Sequence, residues 1–139
     1  AQTSTAATAR VRAMWEAAGA VVDEMDPAHH DAVLAASRHL PHVLACALVE
    51  SLARLGDSDE IFGCAAGGFR DFTRIASSDP VMWGDICLAN GDAILPMIER
   101  FSGDVEQLAD AVRRQDGVRL QSVFTTAKQA RDSYIDKHS

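Results

Sequence analysis

The stretch GGFRDFTRIASSDPVMW, residues 67–83, decides how this chain is interpreted. It places Arg70 and Arg74 one helical turn apart beside a glycine pair, and Asp79-Pro80 then marks a helix start with Trp83 in its first turn. Aspartate is a favoured helix cap and proline a favoured first helical residue, so the stretch predicts two helices joined by a short turn. Guanidinium groups, a helix N-terminus and an indole suit a small ring-shaped carboxylate. We therefore expect an anion site here.

Helix signals dominate the rest of the chain. Asp26-Pro27 repeats the Asp-Pro start, and Ser102 followed by acidic residues predicts a third start. Long helices are predicted over residues 27–53 and 80–101, each kinked or split at its internal proline, Pro41 or Pro96. Apolar residues at helical spacing extend the pattern to the C-terminus.

The sole strand candidate is residues 20–22, which follow Gly19 and a helix-like segment. This pattern is typical of the closing αβ step of an α/β domain. We therefore predict two units: residues 1–26 as the last αβ piece of an N-terminal domain, and residues 27–139 as an all-α helical domain. Since Ala1 is not a start methionine, we expect the sequence to begin partway through a longer reading frame.

The composition argues against several classes of protein. A net charge of −7 disfavours nucleic acid as a partner. The longest clean apolar run, residues 43–49, is far shorter than the roughly 20 residues that span a bilayer, so no membrane partner is expected. Three well-separated cysteines, without a Cys-x-x-Cys pair, are typical of reduced thiols in a cytoplasmic protein.

Two clusters have both a functional and a structural interpretation. The first contains His29, His30, His39 and His42; His30 and His39 lie on opposite faces of a straight helix, which argues against a shared metal ion. Around Pro41 the imidazoles can donate to a ligand or can satisfy carbonyls freed by the proline. In the second cluster, Arg70 and Arg74 either form surface ion pairs, with Asp71 as the nearby carboxylate, or are partly desolvated and bind a substrate carboxylate.

Together, His30-Asp31, His39-Leu40-Pro41-His42 and residues 67–83 resemble the C-terminal helical half of the prephenate/arogenate dehydrogenase family. The resemblance runs from about residue 10 to the C-terminus and is strongest from 30 to 90. One departure is Arg38, where many members have serine. The resemblance implies a helical bundle like the 6-phosphogluconate dehydrogenase C-terminal-like dimerisation domain, preceded by a short αβ remnant of a Rossmann domain.

The family resemblance also implies a function: NAD- or NADP-dependent oxidative decarboxylation of prephenate or arogenate in tyrosine biosynthesis, by a cytoplasmic homodimer. It implies that the catalytic histidine and the dinucleotide site lie in an N-terminal half, so we expect no catalytic, cofactor-binding or metal-binding residue here and no activity from this chain alone. Arg74 matches the arginine that binds a substrate carboxylate, and His42 matches a histidine of the same pocket. The other matching site positions are Gly67, Trp83, Arg70, Asp71, His30 and His39.

Two other classes of function remain open at the level of sequence. One is a stand-alone helical interaction module, in which the arginine and histidine clusters are structural. The other is a non-catalytic domain that binds tyrosine or another aromatic acid. A strand–Gly-x-Gly-x-x-Gly–helix unit encoded upstream would exclude both.

Overall fold

A computed structural model describes residues 3–138, and 82% of it is helical with no β-strand in that range. The all-α prediction is therefore confirmed for the described part of the chain. The α-helices are α1 (Thr5–Ala17), α2 (Pro27–Leu34), α3 (Leu40–Ala53), α4 (Ser58–Gly63), α5 (Gly67–Thr73), α6 (Pro80–Ala89), α7 (Gly91–Arg113) and α8 (Gly117–His138). A π-helical segment, Ala35–His39, joins α2 to α3, and a 3₁₀ turn, Arg74–Ser77, follows α5.

Both Asp-Pro helix starts form as the sequence predicts. The Asp26 carboxylate accepts hydrogen bonds from two backbone amides in the first turn of α2. The Asp79 carboxylate accepts one from the amide of Met82 at 2.8 Å. In each case the cap satisfies an amide that has no partner within the helix, and the proline occupies a position that needs no amide hydrogen.

The helix over residues 27–53 changes its winding just before Pro41, as predicted. Proline has no amide hydrogen and its ring crowds the carbonyl four residues earlier, so a regular α-helix cannot continue through Ser37 and Pro41. The chain responds with the π-helical segment, in which the amide of Leu40 bonds to the carbonyl of Ala35. The Ser37 hydroxyl donates to the carbonyl of Val33 at 2.7 Å. Helical structure is continuous, and the distortion is confined to this one segment.

The helix predicted over residues 80–101 is wrong in its boundaries. It breaks at Asn90, not at Pro96, and the next helix continues through Ser102 to Arg113. Asparagine and glycine at 90 and 91 are poor helix formers. The Asn90 carbonyl accepts from the amide of Ile94 and so begins α7 at this junction. Pro96 lies only six residues into α7, where the long amphipathic helix tolerates the loss of one hydrogen bond.

The strand predicted at residues 20–22 is absent from the described residues. Between α1 and α2 the chain has no regular structure, and Arg12 of α1 holds it by hydrogen bonds to the carbonyl of Val22 at 3.2 Å and to Glu24 at 2.7 Å. A strand needs a neighbouring strand for its hydrogen bonds, and residues 3–138 provide none. The assignment of residues 1–26 to a separate αβ unit stays a prediction.

The helices pack around α3 and α7. Helix α3 contacts α4, α5, the 3₁₀ turn and α7, while α7 also contacts α2, the π-helical segment, α6 and α8. The core inside this single chain is small: the buried apolar residues of the described part are Ala35, Ala45, Ile94 and Ala111. Many large apolar side chains of α7 and α8 are exposed, among them Val112 at 61% and Phe124 at 62%. The fold therefore leaves extensive apolar surface uncovered.

The helical stretch over residues 27–53 is long and apolar enough, by length and composition alone, to cross a membrane. Core helices of globular domains meet the same criterion. Its contacts with helices on several sides, together with buried His42 near its middle, lead us to interpret it as the central helix of the domain.

Candidate functional site

The centre of the site is an aromatic stack between α3 and α6. The rings of His42 and Trp83 lie face to face, with centroids 3.4 Å apart and planes within 9°. His39, one turn earlier, meets the same indole edge-on, with centroids 6.1 Å apart and an interplanar angle of 81°. The predicted pocket residues His39, His42 and Trp83 therefore form one cluster.

Burial sets the chemistry of this stack. His42 is 5% exposed, and its burial lowers the pKa of the imidazole below the usual 6.5. A neutral imidazole can donate from one ring nitrogen and accept at the other. The Trp83 Nε1 atom is buried and has no hydrogen-bond partner among the described residues. Because buried polar groups are nearly always paired, an unpartnered indole N–H is a candidate donor to a ligand.

Asn90 connects this cluster to α2. Its Nδ2 atom lies 3.0 Å from the carbonyl oxygen of Asp31 and 3.1 Å from Nδ1 of His39. Asn90 was not among the site residues predicted from the sequence. In the sequence, Asn90 is a polar residue directly before a glycine at the end of an apolar segment. Ordinary helix ends have the same pattern, so it does not indicate a site residue.

The structure chooses between the two interpretations of the Pro41 region. The histidines do not hydrogen-bond the carbonyls of the distorted turn in the part of the chain that is described; Ser37 and Asn90 bond to nearby carbonyls instead. The idea that His39 and His42 satisfy freed carbonyls is therefore not supported. Both rings contact Trp83, and Nδ1 of His39 faces Asn90; a role of either ring in binding a ligand stays a prediction.

The two arginines of residues 67–83 have no ionic partner in the described part of the chain. Arg70 is in α5, and Arg74 begins the 3₁₀ turn that packs against α3, the helix that carries His42. Both arginines are exposed, and neither forms an ion pair or a side-chain hydrogen bond with any residue between 3 and 138. The anticipated Asp71–Arg74 pair is absent, and Asp71 is exposed as well.

The predicted partial desolvation of these arginines is wrong for the single chain. Of the apolar neighbours expected to cover them, Phe72 is 45% exposed and Phe69 and Ile75 are half-buried, yet both arginines remain exposed. Gly67 is the first residue of α5 and has open space where a side chain would stand. The segment therefore presents unpaired cations beside a clear backbone surface.

His30 lies at the edge of the cluster. Its Nδ1 atom is 3.0 Å from the Asp31 carboxylate, and both side chains are exposed. The Asp31 carbonyl is the one that Asn90 contacts, so His30 is linked to the central stack through the backbone of α2. No group of three or more histidine, cysteine, aspartate or glutamate side chains suited to a metal ion occurs in the described residues.

A separate cleft lies at the turn between α7 and α8. Its charged lining is mostly paired internally, as in the contacts Arg113–Glu106 at 2.8 Å and Arg114–Asp110 at 3.1 Å. Because two of its three arginines already have carboxylate partners, and Arg119 bonds to Gln107, this cleft is a poorer anion site than the arginine segment.

Comparison with known proteins identifies the family. The family model "Prephenate dehydrogenase, dimerization domain" matches residues 26–126. The chain belongs to the prephenate dehydrogenase family. The resemblance found in the sequence is therefore confirmed, as is the fold class that it implied.

Individual relatives agree with this assignment. The cyclohexadienyl dehydrogenase of Zymomonas mobilis is 38% identical over 133 residues, covering 94% of this chain and 45% of that protein. The prephenate dehydrogenase of Bacillus subtilis is 40% identical over 113 residues, covering 78% of this chain and 30% of that protein. The crystal structure of the A. aeolicus prephenate dehydrogenase with hydroxyphenyl propionate and NAD+ superimposes with a TM-score of 0.86 at 37% identity, covering 93% of this chain and 46% of that one. The chain thus spans less than half the length of these relatives.

Proposed function

We propose that this chain is the substrate-binding and dimerisation half of a dehydrogenase that oxidatively decarboxylates prephenate or arogenate. In this reaction, hydride leaves C4 of the cyclohexadienol ring for a nicotinamide and a base takes the hydroxyl proton. Loss of CO2 then makes the ring aromatic, which gives 4-hydroxyphenylpyruvate or tyrosine. The observation that carries the proposal is the His39–His42–Trp83 cluster, in a chain of this family whose α3 also packs against the segment with two unpaired arginines.

The cluster has the chemistry that such a substrate requires. A ring bearing carboxylates is bound well by a bidentate guanidinium, further hydrogen-bond donors and an aromatic wall. We propose that Arg74 binds a substrate carboxylate and that the free Trp83 N–H donates to a substrate oxygen. Neutral His42 forms the wall of the pocket with Trp83, and Arg70, Gly67, Asp71, His30 and His39 complete its surroundings.

The described residues do not fit a nicotinamide dinucleotide. The family's cofactor needs a glycine-rich loop between a strand and a helix, whereas Gly67 and Gly68 begin α5 without a preceding strand. We propose that NAD or NADP binds to a part of the intact enzyme other than residues 3–138, and that this chain alone has no activity.

A homodimer is part of the same proposal. Helix α7 has apolar residues at helical spacing that remain exposed, such as Val105 at 46% and Val112 at 61%. An apolar stripe of this kind is stable when it packs against another helix surface. A second copy of this chain provides that surface, and the match to a family model described as a dimerisation domain supports it. We place the enzyme in the cytoplasm, because its three separate free cysteines are typical of proteins kept in a reducing compartment.

The test is NADH or NADPH formation by the full-length protein with prephenate and then arogenate, each with NAD and with NADP. Turnover with one substrate supports the proposal and assigns the substrate and the cofactor. A folded, dimeric full-length protein that turns over neither substrate would refute it. Thermal stabilisation of this inactive protein by an aromatic acid would then favour the non-catalytic binding domain.

A further inference from the structure

Asn90 occupies a junction that three segments share. It follows α6 and precedes α7, and its side-chain nitrogen contacts Asp31, 59 residues away, and His39, 51 residues away. The distances are 3.0 Å to the Asp31 carbonyl oxygen and 3.1 Å to His39 Nδ1, both within hydrogen-bonding range. One amide group therefore joins α2, the π-helical segment and the α6–α7 junction.

The Asp31 carbonyl determines which way this amide points. A backbone carbonyl can only accept a hydrogen bond, so the NH2 group and not the oxygen of Asn90 must face it. The same nitrogen has a second hydrogen, which is directed to His39 Nδ1. That nitrogen therefore accepts, and a neutral imidazole that accepts at Nδ1 has its proton on Nε2. The contacts thus select one of the two neutral tautomers of His39.

We propose that Asn90 is a positioning residue that holds His39 in the Nε2–H tautomer and so gives the pocket a hydrogen-bond donor at a fixed place. With Nδ1 occupied by Asn90, Nε2–H is the ring's remaining polar group. His39 also contacts Trp83 edge-on, so both its orientation and its proton are set by neighbours. That the Nε2–H group donates to a substrate oxygen rests on the proposed function. The tautomer of His39 does not depend on that function.

The first experiment reads the tautomer directly. Long-range proton–nitrogen NMR correlations of this chain, recorded at about pH 8 where an ordinary histidine is neutral, distinguish protonated from unprotonated imidazole nitrogens. The His39 signals are assigned by their loss in His39→Gln. We expect the proton on Nε2 in the unsubstituted chain. In Asn90→Asp, an isosteric carboxylate that can only accept, we expect the proton to move to Nδ1.

Two further variants make this result interpretable. Gln121→Glu makes the same amide-to-carboxylate change at an exposed site on α8 and should leave the His39 tautomer unchanged. If Asn90→Asp does not fold, Asn90→Ala removes the hydrogen bond without adding charge and should give a mixture of both tautomers. A proton on Nδ1 in the unsubstituted chain, or a fixed Nε2–H tautomer in a folded Asn90 variant, would overturn the inference.

The second experiment connects the tautomer to the reaction. In the full-length enzyme, Asn90→Asp should lower kcat/KM about 10- to 100-fold, the effect of losing one hydrogen bond to a charged group, while Gln121→Glu should not change it. A tautomer change with unaltered kcat/KM would overturn the role of His39 as a substrate donor. Absence of turnover in the unsubstituted enzyme would refute the proposed function instead, and the NMR result would still decide the role of Asn90.

Discussion

Replacement of Arg74 by alanine tests whether this residue binds substrate or stabilises the fold. The side chain is exposed and has no ion pair or hydrogen bond with another described residue. Its removal therefore leaves no carboxylate unpaired and opens no cavity. An exposed substitution of this kind changes the free energy of unfolding by about 0.5 kcal/mol or less. We expect the Arg74→Ala enzyme to keep its helical content, its melting temperature and its dimeric state.

Substrate binding should respond far more strongly. Truncation of one partner in a buried, hydrogen-bonded charge pair costs about 2–5 kcal/mol. Because Arg74 is exposed in the single chain, solvent screens its charge and the lower end of that range applies. A loss of about 2 kcal/mol corresponds to a roughly 30-fold rise in KM for prephenate or arogenate. An intact kcat at saturating substrate is expected, since a carboxylate contact remote from C4 is made equally in the ground and transition states.

The assay is steady-state kinetics of the full-length enzyme, with differential scanning calorimetry of the same preparations. Arg54→Ala is the matched control, because it removes an exposed arginine that pairs with Glu50 at the end of α3. This control should change KM less than twofold. Unchanged KM in a folded, dimeric Arg74→Ala enzyme would refute the assignment of Arg74, and a large loss of stability would show that the residue is structural.

Three further predictions concern the stack and the exposed apolar face. First, burial lowers the pKa of His42 from 6.5, so the unfolded chain binds more protons than the folded chain below that pH. The free energy of unfolding should therefore fall as the pH falls below 6.5. Urea titrations at several pH values measure this dependence, and His42→Phe should flatten it. Second, Trp83→Phe keeps an aromatic ring but removes the free N–H. KM should therefore rise about 5- to 20-fold with little change in melting temperature. An unchanged KM would exclude Nε1 as a substrate donor. Third, Val112→Glu puts a charge on an exposed apolar site of α7 and should shift sedimentation from dimer to monomer, an outcome that Glu99→Gln on the polar side of α7 should not produce.

The local signals of the sequence predicted much of the fold because they act over a few residues. An aspartate before a proline specifies a helix start through one hydrogen bond and one fixed dihedral angle, and both such starts formed. The absent amide hydrogen of Pro41 predicted a distortion within one turn, and the π-helical segment lies there. These outcomes do not depend on what the rest of the chain contributes.

The sequence predictions that were wrong or incomplete have two causes. Some depended on which of two neighbouring helix-breaking signals prevails, and others depended on contacts between residues far apart in the chain. Pro96 looked like the break in its helix, but the Asn90-Gly91 pair ended α6 six residues earlier, and Pro96 could then lie in the first turns of a new helix. The exposure of Arg70 and Arg74 depends on how their segment packs against the rest of the fold, and spacing along the chain does not contain that information. Asn90 was not predicted as a site residue because its hydrogen-bond partners lie 51 and 59 residues away in the sequence.

The His39-Leu40-Pro41-His42 sequence acquires a physical meaning from the structure. Residues three apart share one side of a helix, so both imidazoles can reach the same indole. The winding changes between them, and the two rings meet Trp83 differently, one edge-on and one face to face. His42 is also held by burial, since it is only 5% exposed. Trp83 contacts both rings, and Asn90 adds a hydrogen bond to His39. A proline that distorts the helix and an asparagine that ends another thus act together, and exchange of either should disturb the pocket before it disturbs the fold.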